Sequence, residues 1–356
     1  MSNSGTQKLL VAIQALGDRP MTLMEVCGTH TMAIARSGLK TLLPGNIRLL
    51  SGPGCPVCVT PAEAIDGVLE LAMEKNVILT TYGDMLRVPG SNPGDSLLRR
   101  RALGARVEIV YSPVDAVTLA KENPGREVVF LGVGFETTAP GTAVAVQMAR
   151  EQGVENFSLL SMLKTVEPAL RALIAMEGFR VDGFLCPGHV ASIIGEGGFR
   201  FLPEEYGLPG VIAGFAPEEI LLAVYRLAKQ LTEGQARLEN AYPCAVRPEG
   251  NPLARSMLEN CFEPRRDLWR GLGSIDNSGL ALRPELAAFD AEKKFGLTAA
   301  PAAKPTACRC GDVICGRLGP EECPLFGRRC TPEDPVGPCM VSSEGACAAA
   351  YKYRGI

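Results

Sequence analysis

The chain has 356 residues, of which 21% are charged and 46% hydrophobic, and its formal net charge is −3. That balance belongs to an ordinary folded protein with room for two or three cores, and it leaves no basic footprint for nucleic acid. No signal-peptide pattern and no long uninterrupted apolar span is present, so the expectation is a cytoplasmic protein with neither a membrane nor a nucleic-acid partner.

In chain order, KLLVAIQAL reads as an amphipathic helix within 5–18, and MTLMEV as a strand running into CGTHT. Apolar runs rich in branched residues then predict strands at 47–51 (IRLLS), 77–81 (VILTT), 107–111 (VEIVY), 128–133 (VVFLGV), 157–163 (FSLLSML), 183–186 (GFLC) and 211–215 (VIAGF). Helices follow several of them: TPAEAIDGVLELAMEK, SPVDAVTLAKE, VEPALRALIAME and APEEILLAVYRLAKQL. Each carries proline or an acid in its first turn, where a missing N–H is harmless and negative charge favours the helix dipole. The basic run Arg99 to Arg101 reads as a solvated helix face.

Alternating strands and helices imply an α/β fold with parallel sheets covered on both faces. A faint echo links LLSGPGCPVC with FLCPGHV, and VILTTYGDMLRVPG with VVFLGVGFETTAPG. It suggests two similar Rossmann-like domains, 20–122 and 123–245, with a boundary near 121–126 and loops facing one cleft. Residues 246–356 then form a smaller C-terminal domain, with helix 5–18 packed on it and AAPAAKP at 299–305 as a loop inside it.

Four loops leave the carboxyl ends of predicted strands, where open parallel sheets bind ligands. CGTHT sets Cys27 and His30 three residues apart, so that both can reach one metal, or the imidazole can activate the thiol. A buried cysteine beside a capping Thr-His turn explains the same letters, but His189 in CPGHV is the only other histidine and also follows a strand. GFETTAPG offers Glu136, Thr137 and Thr138 to a ligand, or a simple threonine N-cap. GPGCPVC sets Cys55 and Cys58 just before a predicted helix, the place of a redox pair. No second C-x-x-C exists to complete a zinc site.

Seven of the thirteen cysteines fall between Cys308 and Cys347. Disulfide scaffolds belong to small secreted proteins, so these thiols read as metal or redox chemistry. Wide, irregular spacing among Gly and Pro suits a loop-wrapped iron–sulfur cluster better than a zinc ribbon, although composition does not choose the ligand quartet.

CGTHT, GPGCPVC, GFETT and PGHV, in this order, resemble the hydrogenase maturation protein family HypD, and the resemblance spans essentially the whole chain. Cys308, Cys323, Cys330 and Cys347 match that family's C-x14-C-x6-C-x16-C pattern. The resemblance implies a scaffold for the Fe(CN)2CO unit of [NiFe]-hydrogenases, an assembly device more than a conventional turnover enzyme. It implies a HypC-type chaperone and a HypE-type cyanide donor, itself charged by HypF. It also implies two α/β domains and a third carrying a [4Fe–4S] cluster. Carried over by motif, Cys27 would hold the nascent iron with His30 beside it. Cys55 and Cys58 would be a dithiol/disulfide pair, with Glu136, Thr137, Thr138 and His189 lining the cleft. Cys308, Cys323, Cys330 and Cys347 would ligate the cluster, with Cys310 and Cys339 as a second thiol pair. Cys186, Cys244, Cys261 and Cys315 fall outside this scheme and read as structural. Two rivals stay open: an iron–sulfur-dependent disulfide reductase acting on a partner protein, and a zinc-holding interaction protein without redox chemistry.

Overall fold

The structure, a computed structural model, describes residues 3–92, 94–297 and 307–353. Its strands are β1 (Met21–Glu25), β2 (Ile47–Ser51), β3 (Val77–Thr81), β4 (Val107–Ile109), β5 (Glu127–Gly134), β6 (Phe157–Leu163), β7 (Gly183–Pro187), β8 (Gly210–Ala213), β9 (Leu238–Asn240), β10 (Phe262–Trp269) and β11 (Gly273–Leu282). Every residue of β3, β6 and β7 is buried, as continuous apolar runs require in a sheet covered on both faces. Helix starts follow local chemistry. Before Pro113, the Ser112 hydroxyl accepts the Val114 N–H at 3.3 Å, and the Asp115 carboxylate accepts the Ser112 N–H at 2.9 Å.

Two parallel sheets result. The first has the order β2-β1-β7-β8-β9 and the second β4-β3-β5-β6. The chain starts the first sheet, leaves to build all of the second, and returns with β7 beside β1, where Leu23 faces Gly183 and Glu25 faces Leu185. The expected division at 122/123 therefore does not separate the sheets. β3 and β4 lie in the second sheet with β5 and β6, and β7 to β9 complete the first. The echo has the same explanation: β2 and β7 share one sheet, and β3 and β5 pair directly in the other. Each echoing pair therefore shares a sheet and does not mark two separate domains.

Residues 246–356 are also not one unit. Helix Pro252–Cys261 packs on helix Ala139–Glu151, and the antiparallel hairpin β10–β11 lies against β6. The N-terminal helix, Asn3–Gln14, packs on helix Pro217–Glu233 behind the first sheet, and not on the C-terminal segment as expected. Only residues 307–353 remain as a loop-rich tail. One continuous core joins Met24 and Leu50 of the first sheet, Leu79, Val129 and Leu131 of the second, and Cys310, Cys339 and Cys347 of the tail. The expected loop at 299–305 lies outside the described residues. Among the described residues no helix is long and apolar enough to cross a membrane.

The hairpin is fixed to β6 by polar contacts in a dry setting. The Ser161 hydroxyl donates to Leu280 O at 2.6 Å, and the Arg265 guanidinium to Ser161 O at 2.7 Å. Lys164, 1% exposed, donates to Asp267 at 2.7 Å and to Leu268 O at 2.9 Å, with Trp269 5.2 Å below its ammonium. Removing one partner of a buried pair strands the other charge, at about 3–5 kcal/mol. Asp267→Ala is expected to lower unfolding free energy by that amount in chemical denaturation, and Lys164→Met with Asp267→Leu to recover most of it. A loss under about 1 kcal/mol for Asp267→Ala, the worth of an exposed pair, would show that the pair is not buried in solution.

Candidate functional site

Strand order reverses between β1 and β7, and open parallel sheets place ligands at such a point. CGTHT leaves β1 there, PGHV leaves β7, and GPGCPVC leaves β2 beside them. Cys27 is the extended residue before helix Gly28–Arg36. Glu25, at the end of β1 and 2% exposed, organises the turn. Its carboxylate accepts the Cys27 N–H at 3.1 Å and the Thr31 hydroxyl, and burial raises its pKa to about 7. Nothing in the sequence distinguished Glu25 from an ordinary strand-end acid.

Gly54 brings the second loop against the first. A Cβ on Gly54 would lie 2.2 Å from Cys27 N, and Gly54 O accepts the Gly28 N–H at 3.1 Å. Cys55 and Cys58 form a disulfide. Cys55 precedes the short helix Pro56–Val59, and its sulfur accepts the Cys58 N–H at 3.1 Å. The far end of that helix is held by the hairpin tip. Arg270 N donates to Val59 O at 2.8 Å, and the Arg270 guanidinium to Thr60 O at 2.8 and 3.1 Å. Burial raises the Cys27 thiol to about 12, while the His30 backbone N–H works in the opposite direction. Such a thiol stays protonated at neutral pH until a cation displaces the proton.

The two histidines share one aromatic neighbour. His30 is fully buried, and its Nε2 donates to Gly214 O at 2.9 Å. A carbonyl only accepts, so the proton sits on Nε2 and the Nδ1 lone pair is free; Nδ1 is buried without a hydrogen-bond partner. Phe215 lies 4.7 Å from the His30 ring and 3.9 Å from that of His189, which is exposed. Burial lowers His30 to about 4, and partial desolvation of the His189 ring, one face of which Phe215 covers, lowers that histidine as well. Phe215 ends the predicted strand VIAGF, and that position after β8 was its only sequence signal.

The second sheet reverses order between β3 and β5, and GFETT leaves β5 there. Glu136 is 5% exposed; one oxygen accepts the Val166 N–H at 2.8 Å, the other has no partner, and burial raises its pKa to about 7. Thr137 is exposed and Thr138 half-buried; Thr138 stands at the N-cap position of helix Ala139–Glu151, as one reading expected, but makes no capping hydrogen bond with its side chain. Among the described residues no hydrogen bond joins Glu136, Thr137 or Thr138 to the cysteine loops. Their link is helix Pro56–Val59, which packs on β5.

The tail folds back over both loops. Thr29 donates to Glu344 at 2.9 Å, Arg87 to Pro332 O and Glu333 O, and Ser343 to Asp84 through its N–H at 2.9 Å and its hydroxyl at 3.0 Å. Cys308, Cys310, Cys323, Cys330 and Cys347 line one small cavity with Phe326 and Met340. A Cβ on Gly337 would lie 2.3 Å from Cys308 Sγ and 2.7 Å from Cys310 Sγ, so glycine leaves the sulfurs their room. A sulfur lining is the donor set that iron–sulfur clusters take. No group of three or more Cys, His, Asp or Glu among the described residues is arranged to hold a metal ion as it stands. The thiol of Cys339 contacts those of Cys310 and Cys347, and Cys339 also lines a second cavity with Cys55, Cys58 and Gly28. Of the remaining cysteines, Cys186 and Cys261 are buried, Cys244 is exposed, and Cys315 donates to Gly271 O at 3.4 Å.

Fold and site together define a two-sheet α/β protein that gathers thiols, an imidazole and a carboxyl at one sheet's switch point beneath a cysteine-rich tail. The HypD family model, described as "Hydrogenase formation hypA family", matches residues 5–354. Hydrogenase maturation factor HypD of Azotobacter vinelandii is 46% identical over 349 residues, covering 96% of this chain and 92% of that protein. The protein of the same name from Escherichia coli K12 is 45% identical over 338 residues, covering 95% and 90%. The chain belongs to the HypD family of hydrogenase maturation factors.

Two outcomes follow from this geometry. With only two histidines, proton NMR resolves both titrations. His30 is expected to stay neutral down to about pH 4, so its contribution to stability is complete above its usual 6.5 and fades as pH falls toward 4. A His30 midpoint at 6.5 or above would contradict its burial. Gly54→Ala is expected to push the two loops apart, lowering the thermal midpoint and speeding alkylation of Cys27; unchanged values would contradict the close approach.

Proposed function

We propose that the protein is the scaffold on which the Fe(CN)2CO unit of a [NiFe]-hydrogenase is assembled, with that unit as its cargo. The observation that carries the reading is a contiguous set of sulfurs. It runs from the tail cavity through Cys310, Cys347 and Cys339 to Cys55 and Cys58, whose loop touches Cys27.

Cys27 supplies the anchor. Low-spin iron carrying cyanide and carbon monoxide is soft, and a thiolate suits it. An incoming iron cation displaces the proton of the deep Cys27 thiol, which leaves to solvent, and nearby His30 offers an unused Nδ1 lone pair. Glu136 and His189 line the approach with Thr137 and Thr138. Cys308, Cys323, Cys330 and Cys347 would hold a [4Fe–4S] cluster. Such a cluster gives and takes single electrons. Cys310 and Cys339 form the dithiol that exchanges with the Cys55–Cys58 disulfide: one S–S bond forms as the other breaks, and two electrons and two protons change places. A HypC-type chaperone and a HypE-type cyanide donor are the partners, in the cytoplasm.

The Cys55–Cys58 disulfide also suits an iron–sulfur-dependent reductase of a partner protein, and one pair of variants separates the readings. In a host lacking its own copy, Cys27→Ala is expected to abolish hydrogenase maturation while keeping the visible absorption of the tail cluster. Cys323→Ser is expected to bleach that absorption first. A reductase keeps its activity without Cys27, so full maturation by Cys27→Ala would overturn the scaffold.

A further inference from the structure

One buried hydroxyl touches the Cys55–Cys58 pair from outside the four loop motifs. Ser342 follows the short helix Pro338–Val341 and is 2% exposed. Its Oγ lies 3.4 Å from Cys55 Sγ. That sulfur already receives the Cys58 N–H at 3.1 Å, whereas no hydrogen bond reaches Cys58 Sγ among the described residues. The two sulfurs of the pair therefore sit in different surroundings.

The hydroxyl is held in place and can still turn. Glu344 N donates to Ser342 Oγ at 3.2 Å, which leaves the hydroxyl proton for another acceptor. In the disulfide form that acceptor is Asp84, at 3.3 Å. Asp84 already receives the Ser343 N–H at 2.9 Å and the Ser343 hydroxyl at 3.0 Å, so the Ser342 contact is its longest of the three. Redirecting the Ser342 proton leaves the carboxylate still bonded. A disulfide sulfur is a poor acceptor, but a thiolate is a strong one. Ser342 can thus recognise the reduced pair and not the oxidised one.

We propose that Ser342 donates to Cys55 when the disulfide opens and stabilises the reduced pair as Cys55 thiolate and Cys58 thiol, with Asp84 setting the direction of the hydroxyl. This rests on the reading of Cys55–Cys58 as a reversible pair. A thiolate of a dithiol, Cys339 of the Cys310–Cys339 pair in the protein or dithiothreitol in the test, attacks Cys58 Sγ, and the S–S bond breaks with its electron pair on Cys55, facing Ser342. The second thiol of the reductant then displaces Cys58. The dithiol ends as a disulfide, having given two electrons; one of its protons goes to Cys58 and the other to solvent. Cys55 is the leaving sulfur, and it is the attacking one when the disulfide re-forms.

The test uses the full-length protein, equilibrated with mixtures of reduced and oxidised dithiothreitol at about pH 9, where thiolates are populated. Thiols are trapped, and the peptide carrying Cys55 and Cys58 is quantified by mass spectrometry. Ser342→Ala is expected to shift the equilibrium ~tenfold toward the disulfide, about 30 mV in potential. Ser342→Thr is expected to restore it. Asp84→Asn keeps the shape, weakens the competing acceptor, and is expected to move the equilibrium toward the dithiol. Limited alkylation of the reduced protein should mark Cys55 before Cys58, with that preference reduced in Ser342→Ala. An unchanged constant in Ser342→Ala, with Asp84→Asn also unchanged, overturns the role of Ser342. A wild-type pair that never interconverts across the titration overturns the redox reading beneath it.

Discussion

The close approach of two backbones at Gly54 is the constraint on which the site depends. Its amide plane sits against Cys27, where no side chain of any size fits. That contact turns two loops from adjacent strands into a single surface, with the Cys27 thiol on one side and the Cys55–Cys58 disulfide on the other. Parallel pairing of β1 with β2, Glu25 opposite Ser51, keeps both loops at the same level. β7 on the other flank adds His189, and β8 adds Phe215 between the two imidazoles. A chain that built its sheets one after the other would have no reason to place β7 beside β1.

The second sheet holds this surface from behind. The hairpin on β6 is tied by the buried Lys164 and the half-buried Asp267, and its tip delivers Arg270 to the carbonyls at the end of the Cys55–Cys58 helix. The loop after β3 delivers Asp84 and Arg87 to the tail. The tail is thereby fixed from both sheets, and Cys339 ends beside the disulfide. Cysteines remote in sequence become neighbours through contacts that are largely not sulfur chemistry.

Strand positions were legible because they are local. Runs such as VILTT and FSLLSML between turn residues have one reading, and β2, β3 and β6 span the expected residues. Pairing was not legible, because which strand lies beside β1 is decided by a crossover of over a hundred residues. FEPRRDLW was not among the expected strands; with its proline and charges it has no apolar run, yet it forms a hairpin with one wet face, where such residues are tolerated. The motif cysteines and histidines stood out through rare residue types in Gly/Pro loops. Glu25, Asp84, Phe215 and Ser342 are common types, and only burial or proximity supplied by a distant segment gives them a role. Glu136 shows the converse: its motif was visible, while its bond to Val166 N and its orphaned oxygen were not.

Thiolate anchoring of iron by Cys27 is the central claim, and infrared spectroscopy tests it most directly. Cyanide and carbon monoxide on iron absorb where proteins are nearly transparent. The protein would be co-produced with its maturation partners and purified without oxygen. Bands from both ligands in the wild type, absent from Cys27→Ala prepared in the same way, are the predicted result. Bands that persist unchanged in Cys27→Ala would contradict it, and would place the iron elsewhere on the chain.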